Sequence, residues 1–528
     1  MKVSSPASKT IPALLAEQAV RYAVNEALVS AEGRWTYAQL HSDVCKVAKG
    51  LYAKGVKAGS HVGLLMGNRA EWVLGFLAVQ QLGATAVCLN TWATPREMAY
   101  TLSHAEVSCL LAVPIFRNND YHALMAEVLV GNTFLNQVIW VSDVPVAPLA
   151  GVTSSLWSEL PAAGDILSDG VLSQAQAKIQ SKDVAMLLYT SGSTAEPKGI
   201  LLQHQYWIEN AWHIGERLGV RANDRLWLAV SLFWSFGSVN ALPNFLSHGA
   251  CVVLQEHFDA DTALALIEQE RCTVVYGTPN MFVALRDSPL RNKTDISSLR
   301  TGATIGTPDQ IQDAVDLGVT QICNIYGLSE TYGNCAVIDH REDLDIRLHS
   351  VGQPLPGVTV RIVDIDSAED LPAGKVGEIR VKGPLFKAYF KEPEKTADCF
   401  DAQGFFCTGD LGECDAAGRL YYKGRLKEMV KSGGINIAPI EVEEVLMRHP
   451  LVHSAYVIGI PDLQLDEVLV AFIVAEAGQT LSAQALKAFC KQEMAAYKVP
   501  AQFKFVQESD LPLTSTRKLQ KIRLKELL

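Results

Sequence analysis

Short apolar runs alternate with helical patterns along the first three quarters of this chain, and that alternation narrows the possible fold more than any other feature. HVGLLM (61–66) leads into the helical stretch AEWVLGFLAVQQLG and then into ATAVCLN. DVAMLLYT (183–190), RLWLAVSLF (225–233), ACVVLQ (250–255), CTVVYG (272–277) and TQICNIYG (320–327) repeat the theme, with helical segments such as DTALALIEQE between some of them. Strands apolar along their whole length are buried on both faces, and the intervening helices supply the crossovers of a parallel sheet. A large α/β body with doubly wound, mostly parallel sheets is expected. Ligands of such sheets lie beyond the carboxyl ends of the strands. YTSGSTAEPKG (189–199) and YGLSET (326–331) both fall there.

The texture changes near residue 357. VTVRIVDI, VGEIRVKG and GRLYYKGR alternate with turns rich in Gly and Asp, the pattern of a small antiparallel β subdomain. After GRLKEMVKSGG comes a compact α+β tail: helix IEVEEVLMRH, strands SAYVIGI and VLVAFIV, helix SAQALKAFCKQEM and strand FKFVQ. A chain of 528 residues is too long for one core. The expected division is a body over 1–426 and a smaller C-terminal domain over 427–528, a reasonable domain size.

Composition removes several function classes. The net charge of −11 offers no basic footprint for nucleic acid. The eleven cysteines are scattered singly with no C-x-x-C, which indicates reduced thiols in a cytoplasm rather than a disulfide frame or a zinc site. The start, MKVSSPASKTIPALLAEQ, lacks the apolar stretch of a secretion signal. Residues 226–246 carry no charge and are long enough to cross a bilayer. Their serines, asparagines, glycine and proline fit a buried strand running into a buried helix better. A soluble protein without a membrane span is expected.

YTSGSTAEPKG has the chemistry of an oxyanion receptor. Thr190, Ser191, Ser193 and Thr194 supply hydroxyls, Gly192 and Gly199 free the backbone to turn its N–H groups inward, and Lys198 adds a point charge. It is not the Walker A loop, which requires G-x-x-x-x-G-K-[ST]. Alone, it reads equally well as a polar turn between a strand and a helix. Further along come TGAT (301–304), NIYGLSET (324–331), TGD (408–410), YKGRLKEMVKSGGINIAPIEVE (422–443) and PLTSTRKLQK (512–521). This succession closely resembles the adenylate-forming superfamily: acyl-CoA synthetases, adenylation domains of peptide synthetases and beetle luciferase. The resemblance runs over essentially the whole chain.

The resemblance implies a site. Thr190, Ser191, Gly192, Ser193, Thr194 and Lys198 surround the triphosphate of ATP. Glu330, with Thr190, holds Mg²⁺, a hard cation suited to carboxylate and phosphate oxygens. Gly302, Ala303, Asn324 and Tyr326 form the adenine slot, Thr304 and Gly327 also bind the nucleotide, and Ser329 stands near the α-phosphate. Asp410 accepts from the ribose hydroxyls, with Tyr422 and Arg425 in the same region. Lys518 bridges the substrate carboxylate and the α-phosphate. Lys427 is the hinge about which the mobile tail turns between half-reactions, and Lys431, Ser432, Gly433 and Gly434 present the face that meets the thiol. Trp234, Phe236, Gly237, Tyr276 and Gly277 line the acid pocket. Taken singly, several have plainer readings: Asp410 as a turn residue, Arg425 and Lys518 as solvated charges, Tyr326 as packing.

Some positions depart from the family pattern. Ala195 and Asp466 stand where glycine is usual, Arg517 replaces the glycine before the catalytic lysine, and TGAT replaces glycine-glycine-alanine-proline. Trp234 occupies a position where many relatives carry histidine, as a pocket wall or as a core indole. The activity implied is ATP-dependent ligation of a carboxylic acid to coenzyme A through an acyl-adenylate, with release of pyrophosphate. FWSFGSVNAL, VYGTPNM and NIYGLSETYGNCAV contain no Lys or Arg, so an apolar monocarboxylic acid is expected, whether aliphatic, cyclic or aromatic. Three alternatives stay open: loading of a carrier-protein phosphopantetheine, a luciferase-like monooxygenase, and a catalytically silent nucleotide sensor. A monomer or homodimer is expected.

Overall fold

The computed structural model describes residues 4–129, 134–168, 170–190, 197–432, 435–462, 465–476, 478–479, 481–494, 498–513 and 519–528. Two compact units emerge. One comprises residues 1–359 with 382–404, the other 360–381 with 405–528.

The first unit is built on two eight-stranded sheets. One runs in the order Ala336–Val337, Gln321–Tyr326, Thr301–Thr304, Val274–Tyr276, Arg225–Leu228, Cys251–Leu254, Glu26–Ser30, Gly33–Thr36. Its interior pairs are parallel, and only its two outermost pairs are antiparallel. The other runs Ala388–Tyr389, Lys198–Gln203, Val184–Thr190, Thr85–Cys88, His61–Leu65, Cys109–Ala112, Gln137–Trp140, Thr153–Leu156. It is antiparallel only across its first two pairs. The continuous apolar runs are buried throughout, as in CLLA and CVVL.

The helix Ala70–Gln81 is buried at every position except Glu71, the expected result for a helix apolar on all sides. Others begin at side-chain caps that satisfy free backbone N–H groups. Thr36 and Thr94 form capping boxes, and Asp259 accepts from Thr262 N. The run RLWLAVSLF is a strand only over Arg225–Leu228. The chain then turns, with Trp234 N donating to Ser231 O at 3.0 Å, into the single π-helical turn Phe236–Ala241 and the helix Leu242–His248. The uncharged stretch 226–246 is thus broken into short, mostly buried pieces. Among the described residues no helix is long and apolar enough to cross a membrane.

The second unit holds the antiparallel strands Phe406–Cys414 and Leu420–Arg425, with Gly377–Lys382 and Thr359–Val363 beside them except for the end residues Lys382 and Thr359, which fall in the first. It also holds a five-stranded sheet centred on Asp466–Ala475. That strand buries both faces by simple alternation. Leu469, Ala471 and Ile473 pack with Val442, Leu446 and Leu486, while Val470, Phe472 and Val474 pack with Ile458 and Leu524.

Candidate active site

In the first unit, Val184–Thr190 pairs antiparallel with Lys198–Gln203, and Thr190 lies opposite Lys198. The segment YTSGSTAEPKG therefore lies between two paired strands rather than between a strand and a helix, and Lys198 opens the second of them. Ser191, Gly192, Ser193, Thr194 and Ala195 lie outside the described residues, as do Gly433, Gly434, Arg517 and Lys518.

The two-residue strand Ala388–Tyr389 pairs with the far side of Lys198–Gln203, setting Tyr389 opposite Ile200. The buried Tyr389 hydroxyl donates to Glu330 Oε1 at 2.8 Å. Lys198 Nζ stands 5.0 Å from the centroid of the Tyr389 ring, within range of a cation–π contact. Burial, reinforced by the Glu330 carboxylate, pushes the Tyr389 phenol far above its ordinary value. Glu330 itself sits in the turn Ser329–Thr331 directly after the strand Gln321–Tyr326. Phe386 N donates to Glu330 O at 2.8 Å, and Leu328 N to Thr331 Oγ1 at 2.9 Å. Tyr332 follows with a left-handed φ of 55°, and its hydroxyl accepts from Gln203 N at 2.8 Å. The turn carrying Ser329 and Glu330 is thereby tied to the strand that Lys198 opens.

Gly302, Ala303 and Thr304 lie on the strand beside Asn324 and Tyr326, with Ala303 opposite Cys323 and Thr304 opposite Asn324. Gly302 cannot be replaced without shifting backbone, because a Cβ there would fall 2.0 Å from Val275 O. The same holds at Gly327, where a Cβ would lie 2.4 Å from Asn334 Cα. Gly277 N donates to Ala303 O at 3.3 Å, so the end of the strand bearing Tyr276 joins this group.

The Phe236 ring lies 5.0 Å from that of Tyr276. Tyr276 is fully buried; its hydroxyl donates to Asn240 Oδ1 at 2.9 Å and accepts from Asn244 Nδ2 at 3.0 Å. A Cβ at Gly237 would fall 2.7 Å from Ser231 O, so this turn is closed by close backbone approach. Trp234 is partly exposed and meets Trp92 edge-on, at 5.0 Å and 84°, and Phe233 at 5.4 Å and 66°. Trp92 and Tyr389 were not singled out by sequence patterns. Each sits in a turn or a two-residue strand, where no period marks it.

In the second unit, Asp410 faces Arg425 across an antiparallel pair, with Arg425 Nε 3.3 Å from Asp410 Oδ1. Asp410 is buried and its N–H donates to Thr408 Oγ1 at 3.0 Å, the turn geometry of TGD. Burial raises the Tyr422 phenol, helped by the charge of Asp410. Lys427 is exposed in the single turn Leu426–Glu428, and Lys431 is exposed on the strand Val430–Ser432. Lys521 is committed elsewhere. Its Nζ lies 2.8 Å from Glu443 Oε1 and 3.1 Å from Glu428 Oε2.

Comparison with known proteins gives the family. Residues 15–390 match the AMP-binding enzyme family and residues 441–518 match the AMP-binding enzyme C-terminal domain. The chain is 31% identical to the putative acyl-CoA synthetase YngI of Bacillus subtilis, covering 98% of this chain and 96% of that protein. It is 32% identical to the 3-[(3aS,4S,7aS)-7a-methyl-1,5-dioxo-octahydro-1H-inden-4-yl]propanoyl:CoA ligase of Mycobacterium tuberculosis, over 98% and 99% of the two chains. The ATP-bound crystal structure of MatB from Rhodopseudomonas palustris superposes with a TM-score of 0.82 at 27% identity, over 98% of this chain and 99% of that one. The chain belongs to the AMP-binding enzyme family, within the adenylate-forming superfamily. It is an ATP-dependent, AMP-forming acid–CoA ligase.

Proposed function

We propose that the acid is an apolar monocarboxylic acid, aliphatic, cyclic or aromatic, and that Mg²⁺ and free coenzyme A complete the reaction. The observation that supports the acid assignment is the aromatic clustering on the segments assigned to the acid pocket. Trp234, Trp92, Phe233, Phe236 and Tyr276 form two aromatic groups, and the segments bearing the pocket residues contain no Lys or Arg. A second substrate carboxylate would be buried there unpaired, at high cost.

Lys198 and the hydroxyl-rich loop 190–194 receive the triphosphate. Gly302, Ala303, Asn324 and Tyr326 take the adenine, Asp410 and Arg425 take the ribose, and Thr304, Gly327 and Tyr422 complete the nucleotide site. Ser329 stands at the α-phosphate. The hard oxygens of Glu330 and Thr190 fit a magnesium ion shared with phosphate, which would neutralise charge as the two anions approach. Lys518 brings the substrate carboxylate to the α-phosphorus, and pyrophosphate leaves. Rotation about Lys427 then withdraws Lys518 and presents Lys431, Ser432, Gly433 and Gly434 to the thiol, which displaces AMP to form the thioester. The single, unclustered spacing of the eleven cysteines supports a reducing, cytoplasmic setting.

A panel of acids scored by acid-dependent exchange of pyrophosphate into ATP tests the reading, repeated with CoA and with a phosphopantetheinylated carrier protein. Fatty or benzoate-like monoacids should be the best substrates and CoA the better acceptor. Malonate or succinate leading the panel would overturn the acid assignment, and a preferred carrier protein would overturn the acceptor.

A further inference from the structure

We propose that Tyr389 is a positioning residue that stands between Lys198 and Glu330 and holds each ready without letting them neutralise one another. The inference rests on the reading of Lys198 as a phosphate ligand and Glu330 as a metal ligand.

A phosphate-binding site needs its cation and its metal-binding carboxylate close together, since both must reach the same triphosphate. Opposite charges at short range attract strongly once water is excluded. A direct Lys–Glu ion pair would occupy both groups and would have to be broken each time nucleotide binds. Among the described residues no carboxylate forms an ion pair with Lys198. Both groups instead contact one phenol, that of Tyr389. Its π face meets the ammonium at 5.0 Å and its hydroxyl meets Glu330 Oε1 at 2.8 Å.

The two contacts differ in kind. The ring face attracts a cation but satisfies none of its N–H donors, so phosphate oxygens can replace it readily. The hydroxyl is a neutral donor to a charged acceptor. It fixes the rotation of the carboxylate and leaves its negative charge intact for a cation.

The backbone makes the placement firm. Tyr389 is paired with Ile200, two residues from Lys198. Phe390 N donates to Gly199 O at 2.7 Å and Lys387 N to Leu201 O at 2.8 Å, while Phe386 N holds the Glu330 carbonyl. On its outer side, Tyr389 N donates to Thr396 Oγ1 at 3.0 Å. The short segment 386–390 is thus stitched both to the strand of Lys198 and to the turn of Glu330.

Tyr389→Phe separates the two contacts, keeping the ring and deleting the donor. Nucleotide affinity is measured by titration calorimetry in EDTA and across a Mg²⁺ series, alongside Mn²⁺ electron paramagnetic resonance with bound ATP and the Mg²⁺ dependence of pyrophosphate exchange. Losing an outer partner of a metal ligand weakens metal affinity about 10–100-fold, so half-maximal Mg²⁺ should rise on that scale and the Mn²⁺ signal should change. ATP affinity in EDTA should stay unchanged, because Lys198 keeps its seat. Tyr389→Leu should weaken ATP even in EDTA, since Lys198 and Glu330 are then freed to pair. A folded Tyr389→Phe with the wild-type Mg²⁺ response and Mn²⁺ signal overturns the proposal. Glu330→Gln and Lys198→Ala distinguish the levels. If they abolish metal and nucleotide binding while Tyr389→Phe does nothing, only the role of Tyr389 fails. If they too are silent, the site reading beneath it fails.

Discussion

Lys521 Nζ lies 2.8 Å from Glu443 Oε1, and both side chains are largely buried, at 19% and 9% exposure. Glu443 also accepts from Val457 N at 2.6 Å. Burial pushes the Glu443 carboxyl upward and Lys521 pulls it back. Removing one partner of such a pair strands the other charge and costs about 3–5 kcal/mol. Lys521→Met should lose stability on that scale in urea unfolding, and Glu443→Gln in the same chain should restore part of it. Pyrophosphate exchange per folded molecule should remain. Exchange lost at unchanged stability would move Lys521 into catalysis.

Lys518 and Lys427 should separate the two half-reactions. Lys518→Ala should slow exchange by about 10²–10³-fold, the scale of deleting one transition-state electrostatic contact. Given preformed acyl-adenylate and CoA, the same variant should make thioester at close to the normal rate. Lys427→Pro should do the reverse, because a fixed φ at the hinge locks one pose. Rate ratios for each half-reaction report the lost stabilisation. Equal slowing of both steps by both variants would rule out domain rotation.

Trp234→Ala should shift preference towards bulkier acids with ATP affinity retained. Deleting a fully packed aromatic costs about 3–5 kcal/mol. Trp234 is partly exposed, so its loss should cost less. Trp92→Ala should produce a shift in the same direction, since the two indoles share an edge contact. Unfolding of Trp234→Ala with unaltered relative preference would instead make it a core residue.

Acid should weaken the first unit through a defined cluster. Arg34 bonds Glu26 and Glu270, and Arg225 bonds the same two carboxylates. The Arg34 hydrogen bond holds both glutamates below their ordinary value of 4.5 despite burial. A carboxyl lowered in the folded state contributes stability above 4.5, and that stability is lost as pH falls through the folded value. Urea midpoints should therefore drop on acidification below 4.5, and Arg34→Ala should be less stable at neutral pH with a shallower acid slope. An unchanged slope would place acid sensitivity elsewhere.

The parallel core was legible because buried strands such as CLLA and CVVL are apolar at every position, a pattern few other elements share. The motif succession carried the family with it. Legibility failed where a residue's placement depends on non-local pairing. RLWLAVSLF reads as one strand, yet it stops at Leu228, because an apolar run does not record where the chain must turn. Tyr389 lies in a strand of two residues, too short for any alternation. Its partners Glu330 and Lys198 are 59 and 191 positions away in sequence. The aromatic edge contact between Trp92 and Trp234 is equally remote.

The return of residues 382–404 to the first unit has a consequence for synthesis on the ribosome. A nascent chain that has emerged only as far as residue 359 has every strand of this unit's two sheets except Ala388–Tyr389. Until that strand arrives, Lys198–Gln203 is an uncovered edge with open N–H and C=O groups, a template for pairing with another chain. A fragment ending at 359 should accordingly self-associate, whereas one ending at 404 should stay dispersed. The residue that separates the site's opposite charges is thus carried by the last strand to close the sheet.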